Sequence, residues 1–217
     1  MEDLASLLRS LPSLQGPYGR FDVDHAPDEP QALFIAWFKQ ALTSGVLEPH
    51  AMTLSTVDGE GRPDARVLIL KNLDEHGWHF AIGRSSPKGQ QIARNPSVAL
   101  SFYWQTLGRQ VRIRGTANDM GTEVSRADFL ARSVTARATA LASKQSRVLA
   151  DVQAMEVEHD AKRQFLEVHP QFALSDWTVY AVQADEVEFW QGDVQRRHVR
   201  LRYRRDPAGW MRERLYP

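Results

Sequence analysis

The residue types with the most chemistry in this sequence gather near its end. Six arginines stand between Arg196 and Arg205, interleaved with His198 and Tyr203. A guanidinium grips phosphate or carboxylate through two parallel N–H donors, and an imidazole can accept or relay a proton near neutrality. The stretch is therefore a candidate anion clamp with an acid–base group built in. Read as a strand, it sets Arg196, His198, Arg200, Arg202 and Arg204 on one face and Arg197, Val199, Leu201, Tyr203 and Arg205 on the other. A nucleic-acid patch, a phosphorylated-ligand site and a protein interface all fit such a row. A second cluster is Arg84-Ser-Ser-Pro-Lys-Gly89. Serine at an N-cap followed by proline starts a helix, and the free amides of that end attract anions. Lys88 in the first turn opposes the helix dipole, so a negative ligand would complement it; an ordinary capped surface helix is the alternative. A third is Arg66-Val-Leu-Ile-Leu-Lys71, a cation at each end of an apolar strand. Five residues apart, the two point to opposite faces unless the strand twists or bulges, and a buried strand with solvated ends is the plainer reading. His76 and His79 have no carboxylate pattern to complete a metal site; they read as surface histidines, and no metal is expected.

The remaining composition narrows the classes. The 217 residues are 42% hydrophobic and 25% charged, with Lys+Arg and Asp+Glu both 27. Zero formal charge gives no whole-chain attraction to nucleic acid or to an anionic membrane. The absence of cysteine removes disulfides, thiol nucleophiles and thiolate metal sites together. No apolar run approaches the roughly 20 residues of a membrane span, and the acidic start Met1-Glu2-Asp3 is unlike a secretory leader. A cytoplasmic protein without membrane or nucleic-acid partners is expected. Dinucleotide, phosphate-loop, nucleophile-elbow and zinc-protease motifs are all missing.

These candidates need elements to hold them. Residues 1–28 read as a peripheral segment, with Leu4, Leu7 and Leu8 on a short amphipathic helix and prolines and glycines after it. Residues 29–217 read as one domain. Leu33, Phe34, Trp37, Phe38, Leu42 and Leu47 mark one helix face, with Gly45 as its stop. Alternation at Met52-Leu54-Thr56, Trp78-Phe80-Ile82, Val98-Leu100-Phe102 and Val111-Ile113, with the 66–70 run, gives five strands at short spacing. Helical patterns return at 121–132 and 146–167. Strands at 177–182, 187–190 and 199–203 and a short one at 210–215 close the chain. The sum is a mainly β (α+β) architecture, an antiparallel barrel or sandwich with surrounding helices, not a series of βαβ units.

Taken in order, Arg66-Val-Leu-Ile-Leu-Lys71, Ser86-Pro-Lys88, Phe102-Tyr-Trp104, Arg109-Gln-Val111, Lys144-Gln-Ser146, Glu188-Phe-Trp-Gln-Gly192 and Arg196-Arg-His198-x-Arg200-Leu-Arg-Tyr203 resemble the pyridoxamine 5′-phosphate oxidase family. The resemblance runs from about residue 30 to the C-terminus. It implies an FMN-binding split β-barrel and a homodimer with FMN at the subunit interface. By matching position it implies that Arg66, Val67, Leu68, Lys71, Ala81, Ile82, Lys88, Gln110, Gln145, Ser146, Trp190 and Arg200 hold the flavin. Lys71, Arg132, Arg196 and His198 match substrate-holding positions, with Arg196 and His198 as the catalytic pair. The activity implied is oxidation of pyridoxamine or pyridoxine 5′-phosphate to pyridoxal 5′-phosphate, with oxygen as acceptor.

The chain also departs from the family pattern. Pro87 stands where arginine is common, Asp128 where a tyrosine meets the substrate phosphate, and Ala136 where a serine assists it. The N-terminal Arg-Arg-x-Tyr stretch is absent, with Leu8-Arg-Ser-Leu11 in that region. The departures keep open a related FMN oxidase acting on another small aromatic substrate, such as a phenazine-type precursor. A non-catalytic flavin-binding module and a basic-face RNA binder are the readings from other classes.

Overall fold

The computed structural model describes residues 3–217, so Met1 and Glu2 of the acidic start lie outside the described residues. Among those described, six α-helices and nine strands run in the order α1 (Leu4–Ser10), α2 (Pro30–Thr43), β1 (Ala51–Val57), β2 (Pro63–Ile69), β3 (Asn72–Asp74), β4 (Gly77–Gly83), α3 (Pro87–Arg94), β5 (Ser97–Trp104), β6 (Arg109–Asp119), α4 (Gly121–Ala131), α5 (Val134–Ala142), α6 (Val152–Val168), β7 (Trp177–Gln191), β8 (Val199–Asp206) and β9 (Gly209–Leu215). The strands join in the order β2-β1-β5-β6-β7-β4-β3, and β8 links β7 to β9. The pairs β3–β4, β4–β7, β7–β8 and β8–β9 are antiparallel. This is the expected mainly antiparallel class with helices around the sheet.

The residues group into two compact units. Among the described residues, the first comprises those up to Met52, Ser101–Ile113 and Asp185–Pro217; the second comprises Thr53–Leu100 and Arg114–Ala184. The core of the first is aromatic. Phe34 meets Phe102 edge-on at 5.0 Å, Trp37 meets Phe189 at 5.2 Å, and Phe189 meets Tyr203 at 5.7 Å. Arg109, on β6, is 7% exposed; its guanidinium stacks 4.3 Å from the Trp37 ring and its Nε donates to Gln191 Oε1 at 2.8 Å. The second unit buries Leu54, Phe80, Ile82, Leu100, Phe129 and Val182.

Local rules explain several elements. Ser86 caps α3 by accepting the Gly89 N–H, with Pro87 opening the helix, as its sequence requires. α2 ends at Ser44 with Gly45 left-handed at φ +70°, the expected stop. Other expectations are corrected. Leu42 and Leu47 are exposed, and Leu47 lies past the helix end; the buried face is Leu33, Phe34, Trp37 and Ala41. Leu4, Leu7 and Leu8 are helical but exposed. The 146–167 helix starts only at Val152, where Asp151 caps the Ala154 N–H; Ser146 instead takes a left-handed turn at φ +67°. The sequence pattern does not announce α5, because Val134, Thr135 and Thr139 are weak helix formers; the Ser133 cap on Ala136 N–H is the cue that marks it. The two strands at 177–182 and 187–190 are one, because Ala184 stays buried between exposed Gln183 and Asp185 and period two runs on through the polar stretch. β2 is not buried: Val67 is 66% and Ile69 37% exposed. His79 is no surface histidine, for it is 4% exposed and pairs through Nε2 with Asp74 Oδ1 at 2.8 Å.

Candidate functional site

Within the second unit, a cavity of about 380 Å³ opens at the start of α3. Leu68, Ala81 and Ile82 supply apolar wall, and Ser86, Lys88, Arg132, Lys144, Gln145 and Arg147 supply polar and basic wall. Asp176 also lines it, but its carboxylate is engaged by the backbone and hydroxyl of Ser85 at 2.8 and 2.9 Å. Lys88 is 6% exposed, and its Nζ donates to Gln145 Oε1 at 2.6 Å. Burial, and then the neighbouring Arg66 cation, hold the Lys88 ammonium below the ordinary lysine value; Asp64 offsets this only in part. A buried cation that has a neutral hydrogen-bond partner and a second cation nearby is poised for an anion. Arg132 adds to this. Its guanidinium stacks 4.1 Å from the Trp177 ring, and Nη1 is buried without a hydrogen-bond partner. Burial lowers the Arg132 pKa, and Asp128 acts in the opposite sense.

The expected cofactor residues divide. Leu68, Ala81, Ile82, Lys88 and Gln145 line this one cavity, together with Arg132 from the substrate set. Arg66 donates to Thr56 Oγ1 at 2.6 Å and to Gln91 Oε1 at 3.4 Å, and pairs with Asp64. Val67 is exposed on β2, and Ser146 lies in the turn after Gln145. Lys71 pairs with Asp128 at 3.2 Å, and Asp128 also accepts from Trp177 Nε1 at 2.8 Å. Sequence reasoning named Asp128 only as a departure and missed Trp177 and Asp176. Their partners lie roughly 50 to 90 positions away, so no local spacing could reveal them.

Gln110, Trp190, Arg196, His198 and Arg200 belong to the first unit. The His198 ring lies 4.8 Å from the Trp190 ring. Arg196 and His198 are not on a strand face, because β8 begins at Val199 and Arg196 has φ +65°. From Val199 the expected alternation holds, with Leu201 and Tyr203 buried. The arginine face is an ion-pair ladder: Arg200 Nε donates to Glu188 at 2.8 Å, Arg202 meets Glu213 at 2.7 Å, and Arg204 meets Glu213 at 3.3 Å. Those cations are already matched by carboxylates, whereas Arg196 Nη2 donates to the neutral Ser13 Oγ at 2.8 Å. Among the described residues, no helix is long and apolar enough to cross a membrane.

The cavity's chemistry fits FMN: an apolar wall suits a flat ring system, and the buried Lys88 ammonium, held by the neutral Gln145 amide, suits phosphate. Comparison with known proteins agrees. Residues 38–171 match the family model for pyridoxamine 5′-phosphate oxidase, and residues 177–217 match that for the pyridoxine 5′-phosphate oxidase C-terminal dimerisation region. A pyridoxine/pyridoxamine 5′-phosphate oxidase of Azotobacter vinelandii is 44% identical, covering 88% of this chain and 90% of its own. One from Salinibacter ruber is 42% identical, covering 97% of this chain and all of its own. Among solved structures, PhzG from Burkholderia lata 383, in complex with tetrahydrophenazine-1-carboxylic acid, is 29% identical; it superposes with a TM-score of 0.86 over 93% of this chain and all of its own. With family-model matches over residues 38–171 and 177–217, this protein belongs to the pyridoxamine 5′-phosphate oxidase family of FMN-dependent oxidoreductases.

Proposed function

We propose that the chain oxidises pyridoxamine and pyridoxine 5′-phosphate to pyridoxal 5′-phosphate, as a homodimer with FMN at the subunit interface. The observation that carries the cofactor half is the buried Lys88 ammonium, hydrogen-bonded to the neutral Gln145 in a basic cavity. The names of the 44% and 42% identical relatives support the substrate half. When bound, FMN supplies the two-electron acceptor for a substrate C–H bond. The chain's own residues bind and orient. Lys88 and Arg66 neutralise the cofactor's phosphate, Gln145 orients the Lys88 ammonium, and Leu68, Ala81 and Ile82 give the cofactor's rings a dry wall. Family position assigns flavin contacts to Val67, Lys71, Gln110, Ser146, Trp190 and Arg200 as well. Arg132, fixed flat on Trp177, offers its unpartnered N–H to the substrate's anionic group. Arg196 and His198 hold the substrate's ring and its polar substituents.

A second reading is favoured by Asp128. The Lys71 ammonium is already paired at 3.2 Å, and the same carboxylate faces Trp177. A carboxylate about 4 Å from each phosphate charge costs about 1 kcal/mol even at the dielectric of water. A substrate with one carboxylate, as in a phenazine-type precursor, meets less repulsion than a phosphate dianion. An aerobic assay of the yellow protein decides between the readings. Oxygen uptake with pyridoxal 5′-phosphate formation establishes the first. Uptake only with a reduced phenazine carboxylate establishes the second, and no uptake with either leaves a flavin-binding module.

A further inference from the structure

Asp193 lies in the turn between β7 and β8, outside the residues assigned so far. Its polar atoms are directed onto the next few residues of the chain. The side-chain Oδ1 accepts the Gln195 N–H at 2.8 Å and the Arg197 N–H at 3.3 Å. Its carbonyl accepts the Arg196 N–H at 3.0 Å, and its own N–H donates to His198 Nδ1 at 3.1 Å. Arg196 sits inside this web at φ +65°, a conformation that residues with a Cβ seldom adopt unless their surroundings impose it. One residue thus fixes the backbone of Arg196 and the ring of His198 together.

The bond to His198 also fixes a proton. In a neutral imidazole one nitrogen donates and the other accepts. With Nδ1 accepting from a backbone N–H, the proton resides on Nε2. The opposite tautomer would set two N–H groups against each other across 3.1 Å. Beyond the turn, then, His198 presents a donor and no free lone pair, with its ring plane held beside Trp190.

We infer that Asp193 is the positioning residue of the Arg196–His198 pair, and that through it His198 donates a hydrogen bond to substrate from Nε2 instead of acting as a base. This rests on the reading of Arg196 and His198 as substrate-handling residues. The alternative is that the turn's hydrogen bonds only shape a surface loop.

The test uses the FMN-loaded protein carrying ¹⁵N-labelled histidine, with the ring signal of His198 assigned through His198→Gln. Wild type should show the Nε2–H tautomer. Asp193→Asn keeps an acceptor oxygen for the Gln195 and Arg197 amides, so it should retain that tautomer and a kcat/KM within about threefold of wild type. Asp193→Ala keeps the backbone N–H that meets His198 but loses the Oδ1 acceptor that closes the turn over the Gln195 and Arg197 amides, so that N–H is no longer held against Nδ1. The variant should keep its flavin, show mixed tautomers and lose about tenfold in kcat/KM, the loss expected for one hydrogen bond to substrate. Wild-type His198 protonated at Nδ1 would overturn the inference, as would Asp193→Ala with unchanged tautomer and kinetics. If Asp193→Ala fails to fold, the wild-type tautomer and Asp193→Asn decide. If Arg196→Ala proves fully active on every candidate substrate, the substrate-handling reading falls, while the tautomer measurement still decides whether Asp193 orders the pair.

Discussion

At the scale of single residues, the decisive fact is that Lys88 holds its charge in a place that disfavours it. Burial and Arg66 lower its pKa from 10.5, so between the folded value and 10.5 the unfolded chain binds the extra proton and stability rises with pH. FMN binding should run the other way, since a phosphate needs the ammonium: affinity falls as pH rises through the Lys88 titration. Lys88→Met should weaken FMN by roughly ten- to a hundredfold, the worth of a charge-assisted hydrogen bond, while making the flavin-free protein more stable below pH 10.5. FMN titrations and thermal melts across pH check both signs, and a pH-independent affinity in wild type would remove Lys88 from the site. A second contrast separates the arginines. Arg66→Ala should purify pale and recover activity in excess FMN. Arg196→Ala should stay yellow and turn over poorly whatever FMN is added; steady-state rates against FMN concentration distinguish them. Lys88 was legible in the sequence because the Ser86-Pro87 cap announces its own geometry. Asp128 and Asp193 were not, because their roles lie in hydrogen bonds that only the folded backbone brings together.

Elements carry these residues, and two positions show how tightly. A Cβ at Gly89 would lie 2.3 Å from the Arg84 carbonyl oxygen and 2.8 Å from that of Gly83, so α3 can start only where glycine lets the backbones meet. Gly89→Ala should therefore displace the first turn that bears Lys88, costing about 1–3 kcal/mol of stability and weakening FMN as well. Denaturant midpoints with FMN titration test it, and a variant with unchanged midpoint and affinity would show that the turn yields freely. On β8, the buried Tyr203 hydroxyl donates to the Pro27 carbonyl at 2.7 Å, and burial pushes its pKa up to about 12. An unfolded tyrosine ionises near 10, so Tyr203's contribution is complete below that pH and is lost as pH climbs toward 12. Tyr203→Phe should cost about 1 kcal/mol at neutral pH and flatten the alkaline side of a pH–stability curve. Most strands were legible because period two survives in Met52-Leu54-Thr56 and Trp78-Phe80-Ile82. α5 was not, since its β-branched residues hide a helix that tertiary contacts hold, above all Arg137 donating to the Pro170 and Phe172 carbonyls at 2.7 Å.

At the scale of the whole molecule, the N-terminal segment needs a role of its own, since it lacks the family's substrate-contacting stretch. α1 gives the chain almost nothing by packing: Leu4 is 64% and Leu8 58% exposed, and none of its residues is buried. The residues after α1 behave differently. Ser13 Oγ accepts from Arg196 Nη2, and residues 17–24 form one wall of a cavity of about 590 Å³ whose other wall includes Gln191, Gly192, Asp193 and Val194. The segment thus bears on the turn that orders Arg196 and His198. Deleting residues 1–16 should leave the midpoint of thermal unfolding nearly unchanged, because little apolar area is buried by the part removed. FMN should stay bound with wild-type affinity. Turnover should fall, as it does when a segment that covers a reacting site is lost. Ser13→Ala, which removes one exposed hydrogen bond, should fall by much less, since such contacts contribute under about 1 kcal/mol. Absorbance of the purified deletion protein reads the flavin, and oxygen uptake reads the rate. A pale deletion protein would place the segment in the cofactor site, and a yellow one at full speed would reduce it to an ornament of the surface.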